Sequence, residues 1–394
     1  MKRWIAGPIL AGLLASCTVA TQSSAPPVAA VRSTTPTQVL PMSDLQVLFW
    51  DQATQRDRFA RMEDYFAGFE VAPPAKAREL PQGEPLPQAM RTALDEAFAA
   101  NHAVGVMVLQ DGRVRYERYA DGFGPNHRWT SFSVAKSFTS ALLGAAIRDG
   151  LIGSLSDPVT RYIPALRGTA YDGVTVGQVA SMTSGVQWNE DYSDPNSDVA
   201  KMLTIPPQPG EPQSITYART LSRAAPAGGG KWHYNTLETN LLGDIVKAAT
   251  GQSLAQYAKA KIADPAGFAG SLFWMTDLTG QNIGGCCLSL RLADYARFGQ
   301  FVLEGGNGTV PPGWFAQAGS PITRFEQRPG FGYGYQWWSY PQGAFGAQGI
   351  FGQSITIDPQ SRLVMAIVSN QPRATGGPER ADWTRLFARL AQTE

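Results

Sequence analysis

The amino-acid sequence predicts an α+β fold: an antiparallel sheet flanked by helices, with a mainly helical region inserted at about residues 150–270. Three observations predict it. Two β-rich runs in "AVGVMVLQDGRVRYERYADG" (103–122) flank Asp111-Gly112, a strong hairpin signal. Two more runs in "FGQSITIDPQSRLVMAIVSN" (351–370) flank Asp358-Pro359 near the other end. Between them the chain reads as helix and long polar turns, so strands far apart in sequence must meet in one sheet.

In order along the chain, a helix is expected in "LQVLFWDQATQRDRFARMEDYF" (45–66). A Pro-rich connector follows from 73 to 88, then a helix in "LPQAMRTALDEAFAANH" (86–102). After the hairpin, "TSFSVAKSFTSALLGAAI" (130–147) opens on small hydroxyl residues and continues as an apolar-striped helix. Thr130 or Ser131 is its expected cap. A closing helix is expected in "ERADWTRLFARLAQT" (379–393), and no internal repeat is present.

The N-terminus, "MKRWIAGPILAGLLASC", has a basic start, an apolar run and then small residues. That is the pattern of a secretory signal, too short to span a bilayer. Leu14-Ala15-Ser16-Cys17 resembles a bacterial lipobox, which implies removal of residues 1–16 and lipidation of Cys17. Thr18, in place of Asp, implies the outer membrane and a periplasm-facing protein. Residues 17–41, rich in Pro, Ser, Thr and Ala, are expected to be a flexible tether to a single domain over 42–394.

Of the 394 residues, 43% are hydrophobic and 16% charged, which is globular composition. The net charge of +1 argues against nucleic acid or an anionic surface as partner. Beyond Cys17 only the neighbours Cys286 and Cys287 remain. They are expected to be two buried thiols, because adjacent Cα atoms lie closer than a disulfide prefers. His102, His127 and His233 are scattered without ligand spacing, so neither a metal nor a cofactor is expected. Oligomeric state is not legible here.

Ser133 and Lys136 lie three apart, on one face of the expected helix. A serine in a helix's first turn gains a field that favours negative oxygen, and its own amide can meet a developing oxyanion. Its hydroxyl needs a base. A lysine serves only if its pKa is lowered, and an apolar setting does that. S-x-x-K alone is a weak motif; here it occurs once, at the start of a helix that follows a hairpin. No G-x-S-x-G elbow is present.

"SVAKSFTSALLGAAIRDG", "KWHYNTLETNLLGDIVKAATG", "LADYARFGQFVLEGG", "GYGYQWWSY" and "AQGIFGQSITIDPQSRLVMAIVSN" together resemble the serine β-lactamase and penicillin-binding-protein superfamily. The likeness is to its class C, esterase-like branch and spans roughly residues 90–394. "TSFSVAKS", "WNEDY", "HYNT", "YGYQWW" and "GIFGQ" are most similar to the 6-aminohexanoate-dimer hydrolase group within it. The resemblance implies a β-lactamase/transpeptidase-like fold and a serine hydrolase acting on small ester or amide substrates. It implies Ser133 as nucleophile, with Lys136 and Tyr234 as the proton-transfer pair. It also implies an oxyanion site made by the backbone amides of Ser133 and Ile350.

By the same resemblance Tyr192 contacts the substrate amide, with simple loop packing as the other reading. Two motifs depart from the family. Ala347-Gln348-Gly349 stands where relatives carry Lys-Thr-Gly or His-x-Gly, with no cation, which weakens a β-lactamase or D-alanyl-D-alanine carboxypeptidase reading. Tyr234-Asn235-Thr236 replaces Tyr-x-Asn, leaving Asn235 or Thr236 as the polar contact. Gly349 is expected at the substrate. Trp188, Trp337 and Trp338 either line the cleft or pack the core. Glu190 and Asp191 are expected at the solvated surface. His233 either tunes Tyr234 or points away from it. A non-catalytic cell-wall binding or sensor module remains the rival of another class.

Overall fold

The computed structural model describes residues 1, 31–38, 40, 44 and 46–393. The expected signal segment, Cys17 and most of the tether lie outside the described residues.

Eight antiparallel strands form the main sheet. Their spatial order is Arg113–Tyr119, Ala103–Gln110, Leu363–Ser369, Ser354–Asp358, Phe345–Gln348, Trp338–Ser339, Gly332–Tyr333 and Thr323–Arg324. The Asp111-Gly112 hairpin forms as expected, with φ of 51° and 72° at its two turn residues. Ala103–Gln110 then pairs along Leu363–Ser369, so the two ends of the chain share the sheet centre.

Alternation along these strands loads both faces with apolar side chains. Val106, Val108, Met365 and Ile367 face the helices Gln88–Ala100 and Glu379–Leu390, through Leu94, Phe98, Leu386 and Phe387. Met107, Leu109, Val364 and Ala366 join the larger core on the other face. There the helix Leu292–Leu303 lies so close that a Cβ on Gly299 would meet Val364 Cγ1 at 2.4 Å.

Two expectations are corrected. The region 45–66 is not one helix: it is a 3-10 turn at Val47–Phe49, a short helix Gln52–Arg58 and a second 3-10 turn at Met62–Asp64. Asp51 starts the short helix by accepting from the Thr54 amide at 2.7 Å. There is also a second, five-stranded antiparallel sheet. Its order is Val31–Thr34, Gly68–Val71, Leu272–Met275, Leu288–Arg291 and Arg128–Thr130. It was not legible because its strands are only three or four residues long. Its last strand delivers the chain directly to Ser131.

Candidate active site

The strand Arg128–Thr130 ends at a 3-10 turn, Phe132–Val134, before the helix Ala135–Arg148 begins. The expected side-chain cap is absent. Ser131 Oγ instead accepts from the Leu288 amide at 3.0 Å and donates to Phe132 O at 2.9 Å. Phe132 takes φ = 43°, a left-handed conformation costly for a bulky residue. The packing holds it there: its ring sits 4.8 Å from Phe59 and 5.3 Å from Phe351. Phe351 itself has φ = 58°. Each of these strained phenylalanines adjoins a residue whose amide the family resemblance implies, Ser133 and Ile350.

Gly349 makes the close approach of the two segments possible. A Cβ there would stand 2.5 Å from Ser131 O and 3.2 Å from Phe132 Cβ. Among the described residues, the N–H groups of Ser133 and Ile350 have no backbone acceptor. Both residues line a cleft of about 410 Å³, together with Tyr192, Tyr234, Trp338 and Arg380.

Lys136 is almost completely buried, 1% exposed. Its Nζ lies 3.2 Å from Ser133 Oγ, 3.0 Å from Thr236 Oγ1 and 3.0 Å from Gly285 O. These three contacts use the three hydrogens of an ammonium. In the neutral amine two hydrogens still hold Thr236 and Gly285, and the lone pair faces Ser133. Burial pushes the Lys136 ammonium down to about 8, while the Glu190 charge pulls the other way. Tyr234 lies with its ring face toward Lys136 Nζ, 5.2 Å from the centroid, and stacks on Trp338. Burial first, and then Glu190, raise its phenol above the usual value; its contact with Ser133 offsets part of the rise.

Glu190 is the residue that sequence reasoning missed. It is not solvated surface but lines the cleft. Its carboxylate accepts from the Thr236 amide at 2.9 Å, from Tyr192 OH at 2.7 Å, and from Thr236 Oγ1 and Trp188 Nε1. The carboxylate therefore sits at the N-terminus of the helix Thr236–Thr250, where free amides favour an anion. A signal was present: Trp188, Glu190 and Tyr192 alternate, which puts them on one side of an extended segment. Its neighbour Asp191 is exposed and bonds Ser193, as expected.

Other nominated residues sort as follows. Tyr192 and Gly349 line the cleft. Asn235 does not: it is 2% exposed and caps the helix, its Oδ1 accepting from the Glu238 amide at 3.2 Å. Thr236 turns its hydroxyl to Lys136 Nζ, at 3.0 Å, and to Glu190. Trp337 is core, fully buried against Phe298, Phe315 and Phe345, whereas Trp338 lines the cleft. Trp188 packs on Tyr217 behind Glu190 and reaches the cleft only through it. His233 points to Trp188 O at 2.8 Å.

The third motif carries no cation of its own, but the cleft is not without one. Arg380, from the C-terminal helix, donates to Gly349 O at 2.8 Å. Cys286 and Cys287, expected as thiols, are joined as a disulfide just after Gly285. They border a separate apolar cavity of about 410 Å³, which contains neither Ser133 nor Lys136.

Comparison with known proteins identifies the family. The β-lactamase family model matches residues 91–282 and 284–389. A 6-aminohexanoate-dimer hydrolase of Paenarthrobacter ureafaciens is 31% identical over 71% of this chain and 74% of its own length. A candidate 6-aminohexanoate-dimer hydrolase from Bacillus anthracis superposes with a TM-score of 0.76 at 24% identity, covering 91% of this chain and 98% of that one. A class C β-lactamase from Rhodobacter sphaeroides gives a TM-score of 0.59 at 17% identity, over 77% and 99% of the two chains. With the S-x-x-K serine and lysine in contact inside this fold, the chain belongs to the β-lactamase family of serine hydrolases.

Proposed function

We propose that this protein hydrolyses ester or amide bonds of small molecules through an acyl-enzyme on Ser133. The supporting observation is the 3.2 Å contact between Ser133 Oγ and a buried Lys136 whose pKa is pushed down to about 8. Ser133 Oγ attacks the substrate carbonyl while its proton passes to Lys136. The carbonyl oxygen becomes an oxyanion that accepts from the two unpaired amides, Ser133 and Ile350. Tyr234 relays the proton from Lys136 to the departing amine or alcohol, and the carbon–heteroatom bond breaks. Water then attacks the acyl carbon, gives a proton back through Lys136 and Tyr234, and releases the acid with Ser133 restored.

The likeness to a 6-aminohexanoate-dimer hydrolase supports linear amides as substrates to try. A second reading, a β-lactamase or D-alanyl-D-alanine carboxypeptidase, draws support from the Arg380 cation in the cleft. One screen separates them: short-chain p-nitrophenyl esters, linear amide dimers and nitrocefin, with wild type against Ser133→Ala. Turnover of esters or linear amides that Ser133→Ala abolishes is expected. Nitrocefin as the best substrate supports the second reading, and turnover intact in Ser133→Ala overturns both.

The lipobox-like Leu14-Ala15-Ser16-Cys17 supports attachment to the outer membrane through lipidated Cys17. Labelled palmitate should enter the wild-type chain and not Cys17→Ala; equal labelling of both would end that reading.

A further inference from the structure

Arg380 is in an awkward place. It is the second residue of the helix Glu379–Leu390, where the helix field disfavours a cation. Its guanidinium is buried enough that desolvation lowers its pKa. Among the described residues it has no carboxylate at ion-pair distance; its one hydrogen bond goes to Gly349 O, at 2.8 Å. Nothing in the packing of the C-terminal helix requires this, because that helix is held by Trp383, Leu386, Phe387 and Leu390.

The acceptor explains the placement. Gly349 C=O and Ile350 N–H belong to one peptide unit. A trans peptide is planar, so the two groups point in opposite directions. A cation on the carbonyl side pulls electrons through the amide and makes the N–H on the other side a stronger donor, as in any hydrogen-bonded chain at low dielectric. It also fixes the plane of that peptide. The segment is further held by Gly349 N to Gln353 O, at 2.8 Å, by Phe351 N to Ala374 O and Gln371 N to Phe351 O, each at 3.1 Å, and by Gln353 Nε2 to Ile350 O, at 3.2 Å. None of these bonds touches the 349–350 peptide's own carbonyl.

We propose that Arg380 is a positioning residue for catalysis: through Gly349 O it aims and polarises the Ile350 amide as an oxyanion donor. The proposal rests on the acyl-enzyme reading above. Arg380 does not touch the reacting atoms in this role, so it acts equally on every substrate, charged or neutral. Removal of a direct oxyanion donor costs on the order of a hundredfold or more, so loss of a group behind the donor should cost less, about tenfold.

The test compares wild type, Arg380→Ala, Arg380→Lys and Ser133→Ala on p-nitrophenyl acetate and on a p-nitrophenyl ester with a terminal carboxylate. Phenylboronic acid, whose tetrahedral adduct on Ser133 carries an oxygen into the donor site, is titrated against each active form. In Arg380→Ala, kcat should fall about tenfold on both esters, with KM within about twofold. Boronate affinity should fall by the same factor, millimolar guanidinium should restore part of kcat, and Arg380→Lys should lie between. A structural role alone would not produce guanidinium rescue or the matched boronate loss. Unchanged kcat in Arg380→Ala overturns the proposal. So does a loss confined to the KM of the carboxylate ester, which would make Arg380 a substrate anchor. A loss that guanidinium does not restore and boronate does not follow overturns it as well. Ser133→Ala keeps the two levels apart. If it is inactive while Arg380→Ala is normal, only this inference fails; if it is active, the acyl-enzyme reading fails first.

Discussion

The two segments that bring Ser133 and Ile350 to the cleft are built alike in front and differently behind. Phe132-Ser133 and Ile350-Phe351 each contain a phenylalanine at positive φ, and the two rings pack on each other and on Phe59. Behind Ser133 runs the buried helix Ala135–Arg148, whose Ser137, Thr139 and Ser140 hydroxyls tie it to Gln336 O, Gly284 O and Tyr335 O. Behind Ile350 there is a loop, tied by hydrogen bonds from Gln353 and Gln371 and to Ala374, and one guanidinium. The first segment is backed by a buried helix, the second by a loop and its hydrogen bonds. Rigidity at one point of the site therefore says nothing about rigidity at the other.

The comparison can be broken most severely at its shared member. Phe59→Ala removes a fully buried ring that both segments use. A loss of about 3–5 kcal/mol is expected, read as the shift in denaturant midpoint, and kcat should fall in the folded fraction. A stable variant with normal kcat would mean the segments do not need common support.

Gly349→Ala strikes one side only. The new Cβ would meet Ser131 O at 2.5 Å and push the Ile350 segment off the nucleophile turn. An approximately hundredfold fall in kcat is expected, with fluorophosphonate still labelling Ser133 more slowly. Equal kcat would remove Ile350 from the donor pair.

Glu190→Gln leaves both amides in place and tests the base. In the wild type, kcat/KM should rise as pH rises through about 8, where Lys136 loses its proton. The Glu190 charge raises the Lys136 pKa, so its removal should move that rise to lower pH. A shift the other way would put Glu190 outside the electrostatics of the site.

The smallest effect is expected from Trp338→Phe, which trims a wall of the cleft behind Tyr234. A change of a few fold in KM with kcat held is the expected result. A large fall in kcat would mean that the stacking on Tyr234 sets the relay itself.

The contact between Ser133 and Lys136 was legible because helical spacing converts a three-residue interval into contact. Tyr234 and Ile350 became legible only by resemblance, since nothing local distinguishes them from core residues. Trp337 and Trp338 show the limit: they are neighbours where the chain enters the strand Trp338–Ser339, yet one packs the core and the other meets the cleft. Glu190 and Asp191 are the same case in a loop, separated by which one meets four donors. Arg380 was invisible, because its neighbour Gly349 is brought to it by the sheet and not by sequence. The helical insertion was right in character, but the short second sheet that feeds Ser133 fell below what strand patterning can reveal.

Phe59 carries a consequence for how the protein can be cut. The family match begins at residue 91, yet Phe59 lies upstream of it, and its carbonyl accepts from the Thr130 amide at 2.9 Å just ahead of the nucleophile. A truncation at the family boundary would keep Ser133, Lys136, Tyr234 and Ile350 and lose the ring on which Phe132 and Phe351 both pack. Part of the described stretch before the family match thus serves as structural masonry for the cleft.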